Sequence, residues 1–214
     1  MRKRNYLDGI DVSEWNGEIR FREVRDAGIQ LVYIKATQGT DYVDREFERN
    51  YTEAARERLK VGFYHYVSAR TIQEAQEEAQ FFAENIRRKH KDARPAMDFE
   101  SFGDLSEEAI RDISSAFLVT LERELKIRPA LYSDASNASR IFADNRFTRY
   151  PLWIAEYGVS RPDMENPWSR WSGWQYSDAG RVSGIASRVD LDYFRREILL
   201  DREEMRTDEQ ACSN

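Results

Sequence analysis

The sequence predicts an α/β protein, an irregular TIM-like barrel formed by a single domain. Five apolar, strand-like segments alternate with helix-like segments along the first two-thirds of the 214 residues. Three further strand-like segments then follow, with too few residues between them for crossover helices. Alternating strands and helices favour parallel pairing, and eight such strands can close into a barrel.

The first five predicted strands are dense in β-branched, aromatic or small residues. They span 7–12, 31–37, 61–67, 94–100 and 129–133. The segments that follow them place apolar residues at the three- and four-residue spacing of a helix, over 21–27, 44–59, 71–88, 105–125 and 137–142. Thr71 and Glu74 match a capping box, and Ser106 matches a helix N-cap.

The last third of the chain predicts strands without intervening helices. These strands span 151–157, 172–177 and 187–194, and Pro, Gly, Asp and Ser dominate the connections between them. This part is expected to be irregular and to admit antiparallel pairing. Residues 195–200 predict a short closing helix, so the barrel is expected to span 1–200, with 201–214 as a frayed polar tail.

Composition excludes several classes of protein. The formal net charge of −6 disfavours a nucleic-acid partner, because no basic stripe is present to neutralise phosphates. The single cysteine, Cys212, permits neither an intrachain disulfide nor a cysteine metal cluster. The basic residues 1–5 are followed by a polar strand rather than an apolar segment, so no secretory signal is expected, and no segment is apolar enough to span a membrane.

The strand at 94–100 ends in two carboxylates. Because side chains alternate along a strand, Asp98 and Glu100 should leave one face and Phe99 the other, with the two acidic Cα atoms about 6.5–7 Å apart. Paired carboxylates at such a separation are what cleavage of a glycosidic bond requires. The alternative is a strand end carrying two solvated acids.

Other strand ends supply more acidic and aromatic residues. The carboxyl ends of barrel strands meet at one mouth, where reactive groups collect. The residues predicted there are Asp11, Thr37, Tyr64, Tyr66, Asp98, Glu100, Tyr132, Glu156, Tyr157, Gln175, Tyr176, Asp190 and Asp192. Scattered surface acids would not fall so regularly at strand ends, so this convergence favours an enzyme.

Histidine and tryptophan positions restrict the chemistry further. His65 alternates with two tyrosines and is expected to be buried, and His90 is expected to be solvated. With these two histidines alone, a catalytic zinc site would need an unusual set of carboxylates, so no metal or other cofactor is predicted. Of the tryptophans, Trp153 and Trp174 are expected to line a cleft, where indole rings can stack on sugars.

Eight motifs, in order along the chain, resemble glycoside hydrolase family 25, the Chalaropsis-type lysozymes. They are LDGIDVS (7–13), WNG (15–17), VYIKATQG (32–39), VGFYHY (61–66), AMDFE (96–100), PLWIAEYGVS (151–160), GWQYSDAGRVSGI (173–185) and VDLDYF (189–194). The resemblance covers residues 7–194, and the motifs are most like those of clostridial and phage-type members. Two positions depart from the usual pattern: Asn16 stands where many members have Gln, and Asp192 where many have Asn.

The resemblance implies a (β/α)5β3 barrel that cleaves the β-1,4 bond between N-acetylmuramic acid and N-acetylglucosamine in peptidoglycan. Glu100 would be the general acid, and Asp98 its electrostatic or acetamido-orienting partner. Asp11 and Asp190 would be the other catalytic carboxylates, with Asp190 rather than Asp192 taken to face the cleft. The residues expected to bind substrate are Tyr64, Tyr66, Tyr132, Trp153, Glu156, Trp174, Gln175 and Asp192.

These roles set electrostatic requirements. Glu100 must keep a proton, so its pKa must be raised, while Asp98 is expected to stay ionised and the reaction to retain anomeric configuration. The expected partner is a peptidoglycan strand at the bacterial cell wall, reached extracellularly, in the spore or after phage release. No membrane or obligate protein partner is expected. The alternatives are a non-catalytic glycan-binding module and a chitinase-like hydrolase of N-acetyl sugars.

Overall fold

The computed structural model describes residues 6–213, so the basic segment 1–5 considered for a secretory signal lies outside the described residues. Within residues 6–213 the chain forms one nine-stranded sheet. The strands are β1 (Leu7–Val12), β2 (Leu31–Gln38), β3 (Tyr42–Val43), β4 (Lys60–Tyr66), β5 (Ala96–Asp98), β6 (Ala130–Asp134), β7 (Leu152–Ala155), β8 (Gly173–Gly180) and β9 (Val189–Phe194).

Eight of these strands close into a barrel, as predicted. The order is β1-β9-β8-β7-β6-β5-β4-β2, and pairing of β1 with β2 closes it, while β3 forms a hairpin with β2. Pairing is parallel from β1 through β2 and β4 to β8. β9 runs antiparallel to both of its neighbours, which agrees with the irregular last third expected from the sequence.

Five helices lie between the strands, and a sixth follows the barrel. They are α1 (Phe21–Asp26), α2 (Phe47–Arg56), α3 (Ile72–Ile86), α4 (Glu107–Leu125), α5 (Ala135–Arg140) and α6 (Arg202–Ser213). The predicted N-caps are confirmed: Thr71 Oγ1 accepts from Glu74 N at 3.1 Å, and Ser106 Oγ from Ala109 N at 3.2 Å. The closing helix predicted at 195–200 is a single 3-10 turn over Arg196–Ile198.

The expectation of a frayed tail is wrong, because residues 202–213 form α6. Charge pairs rather than an apolar stripe hold this helix on the barrel. Lys91 Nζ forms a buried ion pair with Asp208, whose Oδ2 also accepts from Lys91 N at 3.1 Å. Arg94 Nη1 lies 2.5 Å from Glu204 Oε1. The polar helix α6 is therefore held in place by its ion pairs with Lys91 and Arg94, which lie just before β5.

Alternation along the strands separates two layers of core. Leu31, Tyr33, Trp153 and Phe194 fill the barrel interior, and they are fully or almost fully buried. The opposite faces of the strands pack against the helices in a second, larger core. The interior residues form the floor on which the polar residues of the barrel mouth rest.

A depression of about 980 Å3 lies at the other end of the barrel. Tyr6 and Leu7, at the start of β1, line it together with Leu200 and Met205, near the start of α6. The start of β1 and the start of α6 therefore meet at the base of the barrel. None of the helices within residues 6–213 has the length and apolar character needed to cross a lipid bilayer.

Candidate active site

A cleft of about 420 Å3 opens at the barrel mouth. It gathers residues from all eight barrel strands and from the loops that follow β1, β5, β7 and β8. Nine of the residues predicted from the sequence line it: Asp11, Tyr64, Tyr66, Asp98, Glu100, Tyr132, Trp153, Gln175 and Asp190. The strand ends thus bring the four family carboxylates and several aromatic rings into one space.

The positions of Asp98 and Glu100 follow from the alternation at the end of β5. Phe99 points out of the barrel, is buried, and meets the Phe102 ring edge-on at 5.0 Å between centroids. Burial of this phenyl ring orients the backbone so that the carboxylates before and after it both enter the cleft. Asp98 is buried at the end of the strand, whereas Glu100 lies beyond it and is exposed to the cleft.

The carboxyl groups of Asp98 and Glu100 interact directly, and their environments raise both pKa values. Burial raises the pKa of Asp98 well above its usual range, and the charges of Glu100 and Asp11 raise it further. Partial shielding from water within the cleft also raises the pKa of Glu100; its interaction with Asp98 opposes this effect, and the charges of Asp134 and Asp190 add to it. Both carboxyl groups therefore favour the protonated form, which differs from the expectation that Asp98 is ionised beside a protonated Glu100.

A second group of acids lies where β1 meets β9. Asp11 stands opposite Asp190 in the antiparallel register, and Gly9 opposite Asp192, so both aspartates of the VDLDYF motif point into the barrel. Asp190 lines the cleft, as chosen from the sequence, and Asp192 lies one layer below it. Burial, followed by the charge of Asp190, raises the pKa of Asp11 well above its usual range.

Gln175 connects this acidic group to the aromatic wall. Its Nε2 donates to Asp11 Oδ2 at 2.7 Å. Its Oε1 accepts from the hydroxyls of Tyr132, at 2.9 Å, and Tyr157, at 2.5 Å. The amide therefore holds one aspartate and two tyrosines in fixed positions around the cleft.

Asp192 supports the cleft floor rather than lining the cleft. Its Oδ1 accepts from Trp153 Nε1 at 2.8 Å, whereas its buried Oδ2 has no hydrogen-bond partner among the described residues. Burial and the Asp11 charge raise the pKa of Asp192 well above its usual range. This buried acid sets the orientation of Trp153 and adds negative potential beneath Asp11.

Besides Asp192, two more residues predicted to bind substrate are not brought into the cleft. Glu156 points away from it, and its Oε2 accepts from Asp163 N at 2.6 Å. Trp174 lies on the outside of the barrel against Trp171, Tyr176 and Tyr193, and its Nε1 donates to Glu156 O at 3.0 Å. Each precedes a cleft residue in sequence, so alternation directs its side chain to the opposite face.

Seven further residues line the cleft without having been selected as substrate-binding: Ser13, Trp15, Asn16, Lys35, Tyr157, Asp178 and Arg188, together with the apolar Val189. Lys35 Nζ donates to Gln38 Oε1 at 2.8 Å and lies 5.0 Å from the centre of the Tyr66 ring. The alternation of Tyr33 with Lys35 signals an inward-pointing lysine. Tyr157 lies at the barrel mouth, where it was expected as a strand-end residue.

His65 has a structural role, as expected. It is fully buried, with Nδ1 2.7 Å from Thr37 Oγ1 and Nε2 2.9 Å from Glu78 Oε2. Burial lowers the pKa of His65, which favours the neutral ring. The histidine thus joins β2, β4 and α3 behind the cleft wall.

The fold and the site together define a glycoside hydrolase: a barrel whose mouth holds interacting carboxylates in a cleft with aromatic walls. Residues 10–185 match the family described as glycosyl hydrolases family 25. This chain belongs to that family, as its motifs indicated.

Individual relatives agree with this assignment. The chain is 33% identical over 195 residues to the autolytic lysozyme of Clostridium acetobutylicum, covering 91% of this chain and 57% of that protein. It is 32% identical over 200 residues to lysozyme M1 of Streptomyces globisporus, covering 88% of this chain and 67% of that protein. The chain therefore spans little more than half the length of the clostridial relative.

A solved structure gives the same result for the fold. The barrel superposes on the crystal structure of the bacterial lysozyme from Streptomyces coelicolor with a TM-score of 0.80 and 30% sequence identity, covering 97% of each chain. The predicted barrel architecture is thus confirmed over nearly its whole length.

Proposed function

We propose that this glycoside hydrolase is a lysozyme of the N-acetylmuramidase type, which cleaves the β-1,4 bond between N-acetylmuramic acid and N-acetylglucosamine in peptidoglycan. The observation that carries the proposal is the convergence of Asp11, Asp98, Glu100 and Asp190 on one cleft, with Asp98 and Glu100 in direct interaction. The lysozyme relatives support the choice of peptidoglycan as substrate.

The contact between Asp98 and Glu100 supports a retaining reaction. An inverting hydrolase separates its carboxyl groups by about 6.5–9.5 Å to leave room for the attacking water. Asp98 and Glu100 are close enough to perturb each other's pKa, which favours the shorter separation of about 5–5.5 Å found in retaining hydrolases. Retention would follow either from a covalent aspartyl adduct or from attack by the 2-acetamido oxygen of the substrate.

The electrostatics support Glu100 as the general acid once substrate is bound. In the free cleft the raised pKa values keep a proton on the Asp98–Glu100 pair, with Asp98 favoured because it is more deeply buried. Positive charge developing at the anomeric carbon would stabilise the ionised form of Asp98. The shared proton would then reside on Glu100, which is exposed to the cleft and can pass it to the departing glycosidic oxygen.

We also propose that the enzyme acts at the bacterial cell wall. A solved structure that is 28% identical to this chain, with a TM-score of 0.71, is that of the CTP1L endolysin. The other relatives with lysozyme names include an autolytic enzyme. Release by a phage, action in a spore and export to the wall would each place the cleft on the same polymer.

Digestion of purified cell walls tests the proposal. Mass analysis of the soluble fragments should find muramic acid at their reducing ends, and chitin oligomers treated in parallel should be cleaved far more slowly. Fragments ending in N-acetylglucosamine would contradict the bond assignment. Faster cleavage of chitin oligomers would favour the chitinase-like alternative, and intact walls would favour a binding module.

A further inference from the structure

The rim of the cleft carries an unusually exposed indole ring. Trp15 is 81% exposed, more than any other large hydrophobic side chain of the described residues. It lies on a 3-10 turn, Glu14–Asn16, that directly follows β1 and lines the cleft. The turn is not loose: Ser13 Oγ accepts from Trp15 N at 3.4 Å, and Asp44 Oδ2 accepts from Glu14 N at 3.0 Å. A fixed backbone therefore presents a bare aromatic face.

Asn16 ties this turn to the loop before β9. Its Oδ1 accepts from Ser13 N at 2.9 Å, which completes the capping box of the turn. Its Nδ2 donates to Arg188 O at 3.1 Å and to Ser187 Oγ at 3.4 Å. One amide thus holds Trp15 and Arg188 next to each other on the same rim.

Arg188 differs from the other cation in the cleft. Five carboxylates line the cleft, against the cations Lys35 and Arg188. Lys35 is buried and bonded to Gln38. The Arg188 side chain is exposed, and within residues 6–213 its guanidinium has neither an ion pair nor a hydrogen bond. Arg188 is therefore the accessible cation that the cleft offers to an anionic substrate.

We propose that Trp15 and Arg188 together form a binding site for a sugar unit that carries a carboxylate. The sugar ring would stack on the indole, and the acid would accept two hydrogen bonds from the guanidinium, whose planar fork matches a carboxylate. This inference rests on the proposed function, since N-acetylmuramic acid carries a lactyl carboxylate and N-acetylglucosamine does not. A stem peptide converts that carboxylate to an amide, so Arg188 would favour glycan strands whose peptides have been removed over both chitin and peptide-bearing strands.

The test measures binding without turnover. In the Glu100→Gln background, calorimetry compares an alternating tetrasaccharide of N-acetylglucosamine and N-acetylmuramic acid with chitotetraose. Arg188→Gln should weaken binding of the muramic tetrasaccharide about tenfold and leave chitotetraose unchanged, because a charge-assisted contact is lost. Trp15→Ala should weaken both ligands about tenfold, because stacking does not depend on the acid.

The matched control is Arg181→Gln, an exposed arginine outside the cleft in the connection between β8 and β9, which should bind both ligands as the background does. A muramic tetrasaccharide whose lactyl acids are converted to amides should bind with equal affinity to the Glu100→Gln background and to the same protein carrying Arg188→Gln. Equal loss for both tetrasaccharides in Arg188→Gln would overturn the inference, as would no loss for either. Wall digestion by the wild-type enzyme tests the proposed function separately, so the two failures are distinguishable.

Discussion

Trp153 donates its indole Nε1 to Asp192 Oδ1 at 2.8 Å, beneath the catalytic cleft. The other oxygen of Asp192 is buried without a hydrogen-bond partner among the described residues, whereas the neighbouring Asp11 accepts from Gln175 Nε2 at 2.7 Å. Many family members have Asn at the position of Asp192. An amide there could accept from Trp153 and donate to Asp11, which would replace an acid–acid contact by a hydrogen bond.

We therefore expect Asp192→Asn to stabilise the fold at neutral pH. A buried aspartate whose pKa is raised in the folded state adds stability at a pH below its unfolded pKa of about 3.9, and this stability is lost as pH rises through the folded pKa. Replacement should thus gain about 1.4 kcal/mol for each unit by which the pKa is raised. Urea unfolding of variant and wild type at pH 7 and pH 3.5 should show that the variant is more stable only at pH 7. An equal gain in unfolding free energy at both pH values would contradict this prediction.

Glu100→Gln should lower kcat on cell walls by about a hundredfold or more, because the amide cannot supply the proton. Its melting temperature should stay close to wild type, since the side chain is exposed. Glu156→Gln is a matched control: the same change on a carboxylate outside the cleft, where the amide oxygen can still accept from Asp163 N. Near wild-type lysis by Glu100→Gln would remove it from the general acid role.

Asp98→Asn should lose at least about a hundredfold in kcat, since the neutral amide cannot stabilise positive charge at the anomeric carbon. The variant should nevertheless be at least as stable as wild type at pH 7, because burial disfavours the charged carboxylate. Turbidity assays and thermal melts on the same sample separate the two effects. An unchanged rate of lysis would show that Asp98 takes no part in the reaction.

The pH dependence of activity can be shifted from outside the cleft. Asp134 is not a lining residue, but its charge raises the pKa of Glu100. Activity that needs the protonated pair is lost as pH rises through the raised pKa, so removing the Asp134 charge should move the alkaline limb of kcat/KM to lower pH. Asp134→Asn keeps an oxygen to cap α5, as Asp134 Oδ1 now does for Asn137 N at 2.9 Å.

Asp163→Asn serves as the control for that profile, because Asp163 lies outside the cleft and does not contribute to the pKa of Glu100. Its profile should coincide with that of the wild type. An Asp134→Asn profile that moves to higher pH would reverse the assigned sign of the coupling.

The ion pair beneath α6 should matter for stability but not for chemistry. Asp208→Ala leaves the buried Lys91 ammonium without its carboxylate, which typically costs about 3–5 kcal/mol. Lys91→Met combined with Asp208→Leu removes both charges and should recover most of that loss. Chemical denaturation measures both variants. A small loss in Asp208→Ala would mean that α6 contributes little to the stability of the barrel.

The sequence predicted the barrel and its carboxylates because both depend on local periodicity. A period of two places Asp98 and Glu100 on one face, and the same counting would have placed Trp174 and Glu156 on the other. Asp178 was not predictable in this way, because β8 shifts register between Gln175 and Ser177 and again before Gly180.

Contacts between residues far apart in sequence could not be predicted from the sequence pattern either. Helix α6 has no apolar stripe that signals docking, and its position depends on the pairing of Lys91 with Asp208 across 117 residues. Asn16 similarly reaches Arg188 across 172 residues. Such pairings depend on how the barrel closes, so neither residue type nor spacing predicts them.

The meeting of Tyr6 with the start of α6 at the barrel base has a practical consequence. The glycan would approach the opposite end, where the strands terminate in carboxylates. A protein or surface joined to the chain ahead of β1 would therefore lie at the end of the barrel opposite the cleft. Immobilised enzyme should therefore lyse intact walls about as well as enzyme free in solution.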